Sequence, residues 1–271
     1  MNRVANARSA LFVPGDRPER FAKASSSGAD VVVIDLEDGV APDRKIPARE
    51  HVLSWLQQGG RALVRVNGVG TDYFSADHQA LAGMPGVVGV VVPMADDPDA
   101  LRHLGATLGA DVPILPQIET ARGLDRASEL AAVSGVARLT LGHLDLAADL
   151  GCEPGREALL FARSTIVVAS RLAGLPGPVE SVTTTLDNPT TCADDAAYAK
   201  RLGFTGKFAI HPSQISPINT TFGPTEDELA WAVKVLKVGA GGGAVRHDGE
   251  MIDGPVISRA RAILSRAGGS D

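Results

Sequence analysis

Val31-Val32-Val33-Ile34-Asp35-Leu36-Glu37-Asp38-Gly39 is the stretch that decides how this 271-residue chain folds. Its four β-branched residues stand in a row, without the alternation of a strand that has one wet face. A strand so continuously apolar has both faces covered, which is the condition of a parallel sheet packed between helices. Working outward, similar short runs recur at 10–13, 62–66, 87–92, 112–115, 136–141 and 208–210, with a weaker one at 178–182. Segments with helical spacing lie between them, at 18–27, 46–58, 73–82, 98–108, 121–132 and 156–173. Eight β units alternating with helices predict an α/β chain folded as a (β/α)8 TIM barrel. The rival is an open, doubly wound sheet.

The composition, 44% hydrophobic and 21% charged, is that of a globular chain with a large core. Two cysteines, Cys152 and Cys192, offer neither a disulfide framework nor a CxxC spacing, so free thiols in a reducing, cytoplasmic setting are expected. No apolar run approaches the roughly 20 residues of a membrane span, and the first residues lack the apolar region of a signal peptide. A net charge of −6 argues against bulk nucleic-acid binding. It leaves room for an anionic ligand held by a local arginine.

Beyond the last strand the pattern changes. Thr225 and Glu228 have the spacing of a capping box, followed by Leu229, Val233 and Leu236 as an apolar stripe. Next comes Gly239-Ala240-Gly241-Gly242-Gly243, too rich in glycine to hold a fixed backbone. A last helix is expected over 255–266. The chain therefore divides into a barrel, 1–223, and a C-terminal helical arm or lid, 224–271, hinged at 239–243.

Barrel chemistry collects at the C-terminal ends of the strands. Arg17 follows the first strand; Asp35, Glu37 and Asp38 follow the second; Arg65 is on the third. Glu119 follows the fifth and Asp145 the sixth. Carboxylates so crowded repel unless protonated or bridged by a cation. Two hard oxygen ligands, with the other positions left to water and substrate, suit Mg²⁺, and Glu119 with Asp145 is the natural pair. Arg65 offers a planar fork to a substrate carboxylate or a polarised carbonyl. Taken singly, a strand-end acid is most often a loop residue or helix cap, and Asp38 and Asp43 read that way. Arg17 could simply pair with Glu19 or Glu37. The six histidines show no zinc spacing, and His211 reads as structural.

These segments together resemble the family of the citrate lyase beta-subunit, malyl-CoA lyase and citramalyl-CoA lyase, within the HpcH/HpaI aldolase superfamily. The likeness covers nearly the whole chain. It runs from Leu11-Phe12-Val13-Pro14-Gly15-Asp16-Arg17-Pro18-Glu19-Arg20-Phe21 through Val33–Val40, Arg65-Val66-Asn67, Ile118-Glu119-Thr120 and Asp145. It ends with Gly203–Ile215 and Met251-Ile252-Asp253. The resemblance implies Mg²⁺ on Glu119 and Asp145, and substrate contacts from Arg65 and Glu119. It implies a CoA thioester as substrate, with Arg17 and Lys45 at its phosphates, and Asp253 as general base on the acyl carbon. It also implies a homotrimer or trimer-based assembly whose C-terminal arm covers a neighbour's site.

The chain departs from the family pattern at Leu144 before Asp145, where Glu is usual, at Glu180, where Asp is expected, and at Thr183-Thr184-Thr185. These put the identity of the substrate in question more than the metal. The expected activity is cleavage or formation of a C–C bond in a malyl-, citramalyl- or citryl-type acyl-CoA, with a small oxo acid as the other product. One alternative is a CoA-independent class II pyruvate aldolase, although no histidine base stands on the first strands. Another is the beta subunit of a citrate lyase complex that needs an acyl-carrier partner.

Overall fold

The computed structural model describes residues 3–239, 245–247 and 250–267, which form two compact units, 1–219 and 220–271. In the first, eight parallel strands close into a barrel in chain order, with β8 hydrogen-bonded back to β1. They are β1 (Ser9–Pro14), β2 (Val31–Asp35), β3 (Ala62–Arg65), β4 (Val87–Val92), β5 (Ile114–Ile118), β6 (Thr140–Leu141), β7 (Val179–Glu180) and β8 (Gly206–Ala209). Every residue of β2 is buried, as its unbroken apolar run requires. Helices follow the strands, among them Lys45–Gln57, Asp72–Leu81, Pro98–Leu108, His143–Leu150, Leu160–Leu172 and Pro189–Leu202. Among the described residues no helix is long and apolar enough to cross a membrane.

Most elements fall close to where the sequence put them, and the differences have causes. The fifth strand is shifted from 112–115 to Ile114–Ile118. Proline removes a ladder donor and usually marks a strand's end, but here Pro116 sits mid-strand, paired with Val92. The sixth is only Thr140–Leu141, while Val136 makes an isolated bridge to Ile114. The stretch 121–132 forms two short helices, Ala121–Asp125 and Ala127–Ala131. Asp145 is not in a strand-end loop; it lies in the first turn of the helix His143–Leu150.

The lower lumen is filled by side chains, including Ala10, Val31, Val33, Leu63, Val91, Leu115 and Phe208. Beneath them Arg138 is fully buried without a carboxylate partner. Its guanidinium donates to the carbonyls of Ala7 (2.6 Å) and Gly177 (2.7 Å) and to Thr205 Oγ1 (2.7 Å). Burial pulls its pKa down to about 9. These bonds tie the N-terminal ends of β1, β6, β7 and β8, opposite to the rim that carries the acids.

In the second unit, the helix Glu226–Val238 opens on the expected capping box, with both Thr225–Glu228 bonds formed. Its buried stripe is Ala232 and Val235, packed with Ile252, Ala260 and Ile263; Val233 points outward instead, 56% exposed. A hairpin of β9 (Val245–His247) and β10 (Glu250–Ile252) precedes the helix Gly254–Ala267. Of the glycine run expected to act as a hinge, Gly239 is packed, since a Cβ there would come within 2.8 Å of Ile257 Cδ1. The rest, 240–243, lies outside the described residues.

Candidate active site

A cavity of about 370 Å³ opens at the C-terminal ends of the barrel strands, lined by Phe12, Asp35, Asp38, Arg65, Gln117, Glu119, Leu144, Asp145 and Ser181 among others. Strand register builds its charged wall. Pro14, Asp35 and Arg65 pair across β1, β2 and β3, so their side chains share one face of the barrel, the lumen.

Asp35 grips Arg65 with both oxygens, Nε to Oδ1 and Nη2 to Oδ2, each at 2.7 Å. The same carboxylate accepts the N–H groups of Glu37 (2.9 Å) and Gly39 (2.8 Å), which folds the loop after β2 around it. A Cβ on Gly39 would lie 2.6 Å from Asp35 Oδ2, so this close approach requires glycine. Arg65 Nη1 stands 3.1 Å from Glu37 Oε2, and the guanidinium carbon lies 4.7 Å from the centre of the Phe12 ring. Burial opposes the charge on Arg65, but Asp35, Glu37 and Glu119 more than offset it, so its pKa is raised. Glu37 is itself lifted to about 7, chiefly by burial and against the pull of Arg65.

Glu119 is 2% exposed. Its Oε2 accepts the Met94 N–H at 2.8 Å, while Oε1 is buried without a hydrogen-bond partner. Met94 is the one non-glycine residue with positive φ (49°) among the described residues. Such a conformation costs a side chain roughly 1–2 kcal/mol, and here it turns the N–H toward the carboxylate. Burial raises the Glu119 pKa to about 8, with Asp145 and Glu37 adding to the rise and Met94 and Arg65 opposing it. Opposite stands Gly142, where a Cβ would come within 2.0 Å of Glu119 Oε1. The space there is reserved for the carboxylate and what it binds.

Asp145 is exposed to the cavity from the first turn of its helix, where the helix dipole favours a negative charge. That helix is anchored behind the site: the His143 N–H donates to Ser181 Oγ at 3.2 Å, and His143 Nδ1 meets the same hydroxyl at 2.7 Å. Among the described residues no three His, Cys, Asp or Glu side chains form a metal-holding group. A bare buried oxygen on Glu119, room beside it at Gly142 and a second carboxylate on the same cavity nevertheless suit a hard divalent cation that keeps water or substrate as its other ligands.

The sequence-derived residues are only partly assembled. Arg65, Glu119 and Asp145 line the cavity together, and Asp38, read as a loop acid, lines it as well. Arg17 is exposed and pairs with neither Glu19 nor Glu37, the nearest acid being Asp16 at 3.9 Å. Lys45 donates to the carbonyls of Leu36 (2.9 Å) and Glu37 (2.8 Å), so it straps the loop after β2. Asp253 belongs to the second unit, where its Oδ1 accepts the Val256 N–H at 3.2 Å at the start of the last helix. His211 is exposed and caps the turn Pro212–Gln214, its Nδ1 accepting the Ser213 N–H at 3.2 Å.

Two departures turn out not to reach the cavity. Glu180 projects behind β7 and holds Arg163 at 2.8 Å, because strand alternation sends Ser181 inward instead. Thr183 donates to Asp195. Leu144, by contrast, does line the cavity. Gln117, Met94 and Gly142 were not singled out from the sequence. A signal existed for Gln117 alone, two residues before Glu119 and so on the same side of β5.

The profile of the HpcH/HpaI aldolase/citrate lyase family matches residues 8–212. The chain belongs to that family. It is 36% identical over 278 residues to a citrate lyase subunit beta-like protein of Deinococcus radiodurans, covering 95% of this chain and 96% of the relative. It is 32% identical over 273 residues to a (3S)-malyl-CoA thioesterase of Cereibacter sphaeroides, covering 96% and 94%. The structure of CitE from Mycobacterium tuberculosis with magnesium, acetoacetate and coenzyme A superposes with a TM-score of 0.85 at 34% identity, covering 98% of this chain and 99% of that one. A second, the citrate lyase beta subunit of M. tuberculosis with oxaloacetate and magnesium, gives 0.73 at 33% identity, over 83% and 100%. The HpcH/HpaI aldolase/citrate lyase family is one of enzymes, and the CitE structure that covers 98% of this chain matches it over both the closed eight-stranded barrel and the helical C-terminal region.

Proposed function

We propose that this protein is a Mg²⁺-dependent carbon–carbon lyase, or synthase, acting on a 3-hydroxyacyl-CoA of malyl, citramalyl or citryl type. The observation that carries the reading is the buried, unpartnered Oε1 of Glu119 on the same cavity as Asp145 and Arg65. The relatives crystallised with magnesium and oxaloacetate, or with magnesium, acetoacetate and coenzyme A, support it.

In this reading Glu119 and Asp145 hold the cation. When bound, Mg²⁺ supplies a Lewis acid for the α-oxo acid oxygens. Arg65, kept charged and aimed by Asp35 and Glu37, has N–H donors to spare for the substrate oxygen on which charge develops. In cleavage a base takes the hydroxyl proton, the C–C bond beside it breaks, and the hydroxyl carbon becomes the oxo carbon. The electron pair passes to the thioester as an enolate, and Asp253 protonates its carbon; condensation is the reverse. Arg17, and the donor that Lys45 has left, meet the CoA phosphates. Assembly as a cytoplasmic homotrimer, with the arm serving a neighbouring site, belongs to the same reading and rests on the family resemblance.

A second reading, a citrate lyase beta subunit dependent on an acyl carrier, is favoured by 34% identity to the citrate lyase subunit beta of Escherichia coli. Cleavage of free CoA thioesters by the isolated protein separates the two.

The testing experiment is calorimetric titration of pyruvate, glyoxylate and oxaloacetate, with Mg²⁺ and with chelator, into wild type and Asp145→Ala. Binding is expected to need both the metal and Asp145. Binding indifferent to either would remove the cation from this cavity and the lyase with it.

A further inference from the structure

Gly142 stands at the N-cap of the helix that carries Asp145, and it has no side chain with which to cap it. Ser, Thr, Asp or Asn usually fills that place and offers an oxygen to the first free N–H groups of a helix. None of them fits here, because a Cβ at position 142 would run into Glu119 Oε1. The glycine that makes room beside Glu119 deprives the neighbouring helix of its cap.

Ser181 supplies the missing oxygen from another strand. Its Oγ accepts the N–H of His143, the first residue of the helix, at 3.2 Å, and meets His143 Nδ1 at 2.7 Å. The sheet gives little other hold at this point. Strands β6 and β7 share one register pair, Thr140 with Val179, so their ladder ends before Gly142 and Ser181. Ser181 is itself fixed from behind its strand, where the buried Lys207 donates to its carbonyl. Two residues on, the Thr183 hydroxyl donates to Asp195 at 2.7 Å.

This clamp bears on one group. Asp145 is the third residue of the helix, the position from which an acid can reach back to the N-cap N–H. Here that N–H is already given to the Ile118 carbonyl at 3.1 Å, so the carboxylate is left to the cavity. A first turn without a cap frays more readily. A cation shared between Glu119 and a frayed Asp145 would have to restore the turn, and its apparent affinity falls by the fraction of time the turn is unformed.

We infer that Ser181 and His143 form a positioning pair that sets the affinity of the metal site by fixing the helix of Asp145. This rests on the proposed binding of a divalent cation by Glu119 and Asp145. The test is titration of the full-length protein with Mn²⁺ as a probe for Mg²⁺, the free ion being counted by electron paramagnetic resonance well below each variant's melting temperature. Ser181→Ala and His143→Ala are each expected to weaken Mn²⁺ binding about 10-fold, the lower end of what partners behind metal ligands contribute. The double variant should lie within about 2-fold of either single one, because the two residues make one clamp. Ser181→Thr keeps the hydroxyl and should stay within about 3-fold of wild type. If Ser181→Ala does not fold, His143→Ala decides alone, since its side chain does not line the cavity. Unchanged affinity in the alanine variants would overturn the positioning pair and leave the metal site standing. So would losses that add in the double variant, the mark of a Ser181 hydroxyl touching the cation itself, or a loss in Ser181→Thr as large as in Ser181→Ala. Failure of wild type to bind Mn²⁺ would instead overturn the metal site, and this inference with it.

Discussion

Glu119 keeps one oxygen on the Met94 N–H and the other on nothing, and burial lifts its pKa to about 8 from an ordinary 4.5. Between those two values the folded protein holds a proton that the unfolded chain has released. Stability supplied by this group is therefore lost as pH rises through that window, the opposite of a salt-bridged carboxylate. Glu119→Gln cannot titrate, so it isolates the effect. In chelator, the melting temperature of wild type relative to Glu119→Gln is expected to fall between about pH 5 and about pH 8. Added Mg²⁺ should reverse that fall, because a cation replaces the proton. A difference that does not change with pH would mean that Glu119 is ionised throughout. The presence of Glu119, Asp145 and Arg65 was legible from their spacing after apolar runs. The partner of Arg65 was not, because Asp35 and Arg65 are 30 positions apart and meet only through the register of β2 with β3.

Elements set what those residues face. Pro116 makes the sequence of β5 look finished at Leu115, yet the strand continues to Ile118 because its neighbours on both sides hold it in the barrel. That extension puts Gln117 in the lumen. On β7 the same alternation works the other way, sending Glu180 outward to Arg163 at 2.8 Å and 3.3 Å, with the Ser181 N–H as a further donor at 2.9 Å. Both side chains are buried, so removing one member leaves an uncompensated charge. Arg163→Met is expected to cost about 3–5 kcal/mol in chemical denaturation, and adding Glu180→Leu should recover most of it. A single variant as stable as wild type would show that Glu180 is protonated or solvated in the fold.

At the scale of the molecule, the barrel unit carries the cavity and the second unit carries Asp253. If Asp253 is the carbon acid–base, Asp253→Asn should lower CoA-thioester turnover by at least about 100-fold, the usual span of general acid–base catalysis. Affinity for oxo acids with Mg²⁺ should not change. Its contact with Val256 is a helix cap that asparagine preserves, so equal losses of turnover and of oxo-acid binding would point to a structural role instead.

Local sequence alone determined the barrel class, the run of strands and helices, the capping box at Thr225 and Glu228, and the rim acids. Each depends on hydrophobic period or on neighbours a few positions apart, which the chain carries within itself. Only the tertiary structure decided that Asp35 holds Arg65, that Met94 adopts a left-handed turn toward Glu119, and that Gly142 leaves room for its bare oxygen. It also decided that Gln117 faces the cavity unpaired and that Lys45 straps a loop. Apart from the Lys45 strap, which spans eight and nine positions, these arrangements join segments far apart in the chain, brought together when a sheet of fixed register closes on itself.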